Sequence, residues 1–304
     1  MPELPEVETI RRDLAGRALG RRISAVHILS PKTASHAAAF FKTVLVGRRL
    51  ISLERRGKLL ILGLSPLLPK SKLSPAARIS HLLIHLKMTG QLIYLDRRNK
   101  IAGGHSLGGH SFASAVGGEL PNKYTRASLE FVGGGKLFFN DLRKFGYWKL
   151  VSAPELAKIL AAGYGPEPLS REFSLTFLTA LLKNRKTKIK PLLLDQKAIA
   201  GLGNIYVDEV LWAARLRPDR AAGSLQAVEI KRLHQAIKRL IKLAIKHRGT
   251  TFSDYVDAQG RKGNFSRLLK VYGRRGESCP NCRKPIIRTK IAGRGTHYCP
   301  RCQK

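Results

Sequence analysis

CPNCRKPIIRTKIAGRGTHYCPRC, residues 279–302, holds two Cys-x-x-Cys pairs, Cys279/Cys282 and Cys299/Cys302, with 16 residues between them. These are all four cysteines of the chain. Each pair forms a tight knuckle that points two thiolates at one ion, and four thiolates fill a tetrahedral zinc with no position left open. A redox dithiol would account for one pair and leave the second unexplained. A disulfide scaffold would spread its cysteines through the fold. The expectation is one structural Zn2+ in a four-Cys zinc ribbon, where the metal stands in for a core that so short a segment lacks. The stretch between the knuckles reads as a hairpin bearing Arg283, Lys284, Arg288, Lys290 and Arg294, a good clamp for a phosphate groove.

Outward from that segment, the charge points the same way. The 304 residues contain 56 Lys+Arg against 20 Asp+Glu, a formal net charge of +36. A folded chain with this field seeks a polyanion, and nucleic acid leads because each neutralised phosphate releases counterions. A membrane surface is the rival, but no apolar run of about 18 residues supplies a spanning helix. The start, MPELPEVETIRRDL, carries acids where a signal peptide would carry bases. A cytoplasmic, monomeric protein is expected.

Upstream of the cysteines the pattern is helical back to about residue 153, with candidates at 154–162, 174–182, 189–195, 206–214 and 225–247. The last has Val228, Leu233, Ile237, Leu240, Ile241 and Ile245 on one side and six Lys and Arg between them. Its basic face is either solvated or turned to phosphate. Before residue 153 the chain reads as antiparallel strands: 22–29, 50–55, 58–64, 81–86, 91–95, 127–132, 136–140 and 147–151. A helix is expected at 5–19, and Gly133-Gly134-Gly135 marks a hairpin. Residues 65–78 and 97–123 read as exposed loops, with His105 and His110 as loop residues rather than ligands. The fold class is α+β: an N-terminal antiparallel β-sandwich with flanking helices (1–152), a helical domain (153–266) and a zinc finger (267–304).

Pro2, Glu3, Glu6 and Glu8 stand together in an otherwise basic chain. Helix N-terminal acids that complement the dipole account for Glu6 and Glu8, but less well for Pro2 and Glu3. PELPEVETIRRDL resembles the N-terminus of bacterial formamidopyrimidine-DNA glycosylases, which repair oxidised purines. Further blocks resemble that family in order: RRGKLLIL (55–62), HLKMTGQL (85–92), DLRKFGYW (141–148), KPLLLDQKAIAGLGNIYVDEVLW (190–212), GRKGNF (260–265), VYGRRGESCPNC (271–282) and GRGTHYCPRCQK (293–304).

The resemblance implies a bifunctional glycosylase/AP lyase acting on 8-oxoguanine and formamidopyrimidines in double-stranded DNA. Once Met1 is removed, Pro2 is the nucleophile through its secondary amine, Glu3 the acid/base partner and Glu6 a support. Lys58 matches the family lysine assigned to β-elimination and phosphate contact. Arg294 matches the arginine linked to δ-elimination. Met88, Arg143 and Phe145 match the residues that fill the hole left by a flipped base, although Met88 or Phe145 alone would normally be core. The segment around Gly201-Leu202-Gly203-Asn204 resembles a helix–two-turns–helix element, which implies that Lys190, Asn204 and Arg185 contact phosphate. Tyr124 stands where the family often has a DNA-contacting histidine. Leu142 and Lys144 depart from the usual proline and arginine. The lesion-recognition loop is expected at about 250–264. Two alternatives stay open: a sister activity on oxidised pyrimidines, and a zinc-ribbon nucleic-acid binder without catalysis.

Overall fold

The structure, a computed structural model, describes residues 2–66, 75–105, 107, 111–250 and 265–304. It divides into two compact units, residues 1–160 with 248–264, and 161–247 with 265–304. Of the expected lesion-recognition loop only Thr250 is described, and His110 also lies outside the described residues.

The first unit runs α1 (Leu4–Ala18), β1 (Ile23–Ile28), α2 (Ala38–Leu45), β2 (Leu50–Arg56), β3 (Leu59–Leu64), α3 (Pro75–Arg78), β4 (Ile79–His85), β5 (Gly90–Leu95), β6 (Lys100–Gly104), α4 (Phe112–Val116), β7 (Thr125–Phe131), β8 (Lys136–Asp141) and β9 (Tyr147–Ser152). Two antiparallel sheets form, in the orders β1-β7-β8-β5-β6 and β2-β3-β4-β9. Alternation explains which residues meet. Leu92, Tyr94, Leu129, Leu137 and Phe139 of one sheet join Leu60, Leu62, Leu82, Ile84, Trp148 and Leu150 of the other in a single core. Val7, Ile10, Leu14 and Ala18 of α1 enter the same core at helical spacing.

One part of the sequence reading is corrected here. Residues 97–123 are not simply a loop, because β6 pairs with β5 and α4 follows it. Ile93 and Phe138 face away from the main core, and Ala102 and Val116 cover them in a second small cluster. A Gly/Ser-rich stretch gives no alternating signal, so its strand is set by the partner face rather than by its own propensity.

The second unit contains α6 (Leu175–Leu182), α7 (Ile189–Leu194), α8 (Asn204–Ala213), α9 (Ala227–Lys246) and the hairpin β10 (Ile287–Ile291) and β11 (Arg294–Tyr298); α5 (Ala153–Gly163) spans the division between units. Ser174 caps α6, and Gln226 with Glu229 forms a capping box on α9. Between α7 and α8 the Gln196 side chain accepts from Gly201 N–H and donates to Leu194 O and Leu202 O, which knits the two turns together. On α9, Ile230, Leu233, Ala236, Ile237, Ile241 and Ala244 are buried, while Lys231, Arg239 and Lys242 are exposed.

Candidate functional site

Pro2 and Glu3 are both buried at the head of α1, with Glu3 as its N-cap. Glu3 and Glu6 form a capping box, in which Glu3 N–H donates to Glu6 Oε2 at 2.9 Å. The other Glu6 oxygen accepts from Thr250 N–H at 2.6 Å and from the Thr250 hydroxyl at 3.0 Å. Gly249, at φ 81°, makes this approach possible: a Cβ there would lie 2.5 Å from Glu6 Oε1. Arg248 donates to Asp13 at 2.6 Å. Residues 248–250 are thus fastened to α1, a connection that the separate motifs did not announce.

Lys58 is buried in the turn between β2 and β3 rather than at the start of a strand. A charged chain ties this turn to α1. Arg55 Nη1 donates to Gly57 O at 2.9 Å, and Arg55 Nε donates to Glu8 Oε2 at 3.1 Å. Glu8 also receives Arg11 and Arg12. Burial alone would raise the Glu8 carboxyl, but the hydrogen bonds from Arg11 and Arg12 and the charge of Arg55 outweigh it and pull its pKa down to about 2. Nearby, His85 is held neutral. Burial, with the charges of Lys87 and Lys58, pushes its pKa down to about 3, and its Nδ1 accepts from Lys87 N–H. In the sequence His85 has no assigned role, lying inside the expected strand 81–86 and at the head of HLKMTGQL.

Met88 lies in the tight turn between β4 and β5. Gly90 closes this turn, because a Cβ there would sit 2.4 Å from Leu86 O. Fully buried Asp141 joins this turn to the one carrying Arg143 and Phe145. It accepts from the Thr89 hydroxyl, from Arg143 N–H at 3.2 Å and from Gly146 N–H at 2.7 Å. Arg143 stacks over the Phe145 ring at 4.7 Å, and Phe145 is 53 % exposed. Phe145 is therefore not a core residue, while Met88 is half-buried. Tyr124 enters the same neighbourhood through its carbonyl, which accepts from Asp141 N–H at 2.9 Å.

In the second unit Arg294 is exposed on a two-residue turn, with Ile291 and Arg294 paired and Ala292 and Gly293 both at positive φ. Asn204 opens α8, and its Nδ2 donates to Gly295 O at 2.9 Å. Arg185 is exposed beyond α6. The expectation for Lys190 is corrected. Its side chain is 0 % exposed, and its ammonium donates to Asp208 Oδ1 at 2.6 Å and to Gly295 O at 3.0 Å. A lysine so enclosed holds the protein's own backbone instead of reaching a phosphate. Asp208 and Glu209, neither singled out beforehand, are buried on α8. Glu209 accepts three successive N–H groups, those of Lys270, Val271 and Tyr272, and so anchors the approach to the cysteine segment.

The four cysteines are free thiols whose sulfurs all lie within 4.8 Å of one another, and among the described residues they form the one group placed to share an ion. The surroundings suit thiolates bound to a metal. Asn281 Nδ2 donates to Cys302 Sγ at 3.2 Å, and Cys302 N–H donates to Cys299 Sγ at 3.4 Å. The buried indole N–H of Trp212, which packs on this cluster, faces no oxygen or nitrogen acceptor. Cys279, Cys282, Cys299 and Cys302 therefore fit one structural zinc.

An N-terminal helix heading an antiparallel sandwich, two helices joined by two turns, and a four-cysteine finger define a class of nucleic-acid-associated modular proteins. The comparisons with known proteins are specific. The N-terminal domain model of formamidopyrimidine-DNA glycosylase matches residues 1–148, its H2TH domain model residues 164–256, and the zinc finger found in FPG and IleRS residues 276–304. The chain is 44 % identical to a formamidopyrimidine-DNA glycosylase of Heliobacterium modesticaldum and 41 % to one of Carboxydothermus hydrogenoformans, each over 100 % of both chains. Among solved structures, a Lactococcus lactis FPG mutant in complex with Fapy-dG-containing DNA superposes with a TM-score of 0.84 at 34 % identity, over 100 % of both chains. The L. lactis Fpg with abasic-site DNA gives 0.83, over 99 % of both. The chain belongs to the formamidopyrimidine-DNA glycosylase family. No described helix is long and apolar enough to cross a membrane.

Proposed function

We propose that the chain is a bifunctional DNA glycosylase/AP lyase that removes oxidised purines, 8-oxoguanine and formamidopyrimidines, from double-stranded DNA. The observation that carries this reading is the buried Pro2-Glu3 pair at the head of α1 in a member of this family. With Met1 removed, Pro2 presents a secondary amine. An α-amino pKa near 8 leaves about a tenth of it unprotonated at neutral pH. Attack on the sugar C1′ displaces the base, which departs with the electron pair, and opening of the C1′–O4′ bond, with O4′ taking a proton, then gives the iminium. Glu3 exchanges protons at the sugar ring, and Glu6 holds the segment around Pro2 in place. Lys58 contacts phosphate and serves the first elimination. Arg294 serves the second.

The target base must leave the stack first. Exposed Phe145, with Arg143 stacked on it and Met88 beside them, fills the space, and Arg143 hydrogen-bonds the orphaned cytosine. Asn204 at the start of α8, exposed Arg185 and Tyr124 contact the backbone. Zinc, held by Cys279, Cys282, Cys299 and Cys302, supplies a structural cross-link and no chemistry. The three-part division at residues 152 and 266 remains a reading of the sequence as functional modules.

Mass spectrometry of the protein with an 8-oxoguanine:cytosine duplex and borohydride tests the reading. A covalent adduct on Pro2, absent when Met1 is retained or in Pro2→Gly, is expected. Tight binding with no adduct would leave a DNA-binding relative without this chemistry.

A further inference from the structure

Lys190 on α7 and Asp208 on α8 form an ion pair in which neither side chain is exposed at all. Such a pair contributes little net stability, because the desolvation of two charges offsets their attraction, and apolar replacements are often neutral or better. What the pair touches suggests another purpose. Lys190 Nζ donates to Gly295 O at 3.0 Å, and Asp208 Oδ2 accepts from His297 N–H at 2.8 Å. These two backbone groups lie two residues apart along β11, so one ion pair grips the strand at two consecutive points. Asn204 adds a second donor to Gly295 O at 2.9 Å. The residue immediately before this grip is Arg294, whose own carbonyl accepts from the Thr296 hydroxyl. Arg294 closes a turn only two residues long, across which it pairs with Ile291. Together with the pairing to β10, the grip on Gly295 and His297 fixes where its guanidinium begins.

We propose that the buried Lys190–Asp208 pair is a positioning device for Arg294, which holds the base of the hairpin turn so that the guanidinium serves the second elimination. The inference rests on the elimination chemistry proposed above. In the first elimination a proton leaves C2′ and the C3′–O bond breaks, the phosphate taking the electron pair. In the second a proton leaves C4′, the C5′–O bond breaks and the other phosphate departs in the same way. The guanidinium offsets charge gathering on that second leaving group. Base removal and the first elimination do not use Arg294. Loosening the grip therefore divides the reaction rather than abolishing it. Lys190 and Asp208 are positioning residues and touch no substrate.

The test uses the full-length zinc-loaded protein in single-turnover reactions on an end-labelled 8-oxoguanine:cytosine duplex. Two variants are compared with wild type: Asp208→Asn, and the double variant Lys190→Met/Asp208→Leu, which removes the pair without stranding a buried charge. Borohydride trapping reads formation of the iminium. Gel resolution of the 3′-unsaturated aldehyde from the 3′-phosphate reads the two eliminations. Both variants should trap at close to the wild-type rate yet accumulate the unsaturated aldehyde, the second elimination slowing by about tenfold to hundredfold, as misplacement by a fraction of an ångström allows. Arg294→Ala should show the same product pattern. An unchanged product ratio in both variants would overturn the proposal. So would a proportional fall in trapping and both eliminations, which would mark a merely structural pair. A wild-type protein that fails to trap would instead remove the reaction reading itself, a result the variants cannot mimic.

Discussion

Replacing Glu8 by glutamine tests how the head of α1 and the Lys58 turn are held together. The Glu8 carboxylate accepts from Arg11 at 2.9 and 3.0 Å, from Arg12 at 2.7 Å and from Arg55 at 3.1 Å, with its side chain only 10 % exposed. Its pKa falls from 4.5 to about 2 in the fold. A shift of that size corresponds to about 3 kcal/mol favouring the ionised form, the order expected when one partner of a buried charged network is removed. Glutamine should cost a similar amount, about 3 kcal/mol at pH 7, and lower the melting temperature by roughly 6–12 °C for a chain of this size. The sign of the pH dependence follows from the direction of the shift. A depressed carboxyl contributes stability that is fully present above the unfolded pKa of 4.5 and is lost as pH falls through about 2. Urea unfolding of wild type and Glu8→Gln from pH 7 down to pH 3 should show curves that converge in acid. Because Arg55 also holds Gly57 O, cleavage of a preformed abasic site should slow together with the stability loss. A variant within about 0.5 kcal/mol of wild type at pH 7, or a gap that does not narrow in acid, would refute the account.

Three further outcomes are expected. Phe145→Ala should leave stability within about 0.5 kcal/mol, since the ring is 53 % exposed. Base excision should nonetheless slow by about tenfold to hundredfold, as the unstacking cost is no longer met; equal excision rates would remove Phe145 from the wedge. Gly249→Ala imposes a left-handed conformation at φ 81°, which costs about 1–2 kcal/mol, and drives a methyl into Glu6. Faster hydrogen exchange at the Thr250 amide should report the lost bond, and unchanged protection would contradict it. Stripping zinc with a chelator should shift the emission of Trp212, which packs on the cysteines, and unfold the finger. The shift should vanish in Trp212→Phe and leave Trp148 as a silent reference; emission indifferent to the metal would argue against the four-thiolate site.

Where the sequence carried its own local signal, it was readable. The two Cys-x-x-Cys pairs state a ligand count and a spacing. The strands around Leu60–Leu64 and Leu137–Phe139 alternate or run apolar, and α9 repeats every three or four residues. What stayed hidden depends on partners far along the chain. Lys190 reads as a phosphate contact among 56 Lys and Arg, and its burial becomes visible only when Asp208, 18 residues later, is brought against it. Asp141 sits in DLRKFG as an ordinary strand-end acid, yet it fastens the Met88 turn to the Phe145 turn from a position 52 residues beyond Thr89. β6 is specified by the uncovered faces of Ile93 and Phe138 rather than by its own glycines and alanine. His85 gives no warning that burial and two lysines will keep it neutral.

These hidden contacts share one physical logic. With only 20 acids against 56 bases, every carboxylate left on the surface weakens the field that draws a polyanion. Glu3, Glu8, Asp141, Asp208 and Glu209 are all buried instead. Each accepts from arginine, lysine or backbone N–H groups; Glu3, Glu8, Asp141 and Asp208 set turns or helix ends that carry residues of the proposed site, and Glu209 holds the approach to the cysteine segment. Burial answers two demands at once: the negative charge is hidden from phosphate, and in a low-dielectric setting its directional hydrogen bonds fix geometry more firmly than they would in water. The same arrangement makes the site brittle in acid. Protonating Glu8, whose pKa lies at about 2, would free Arg11, Arg12 and Arg55, the cations it holds. The Lys58 turn, tied to Glu8 through Arg55, should therefore loosen as pH falls toward 2.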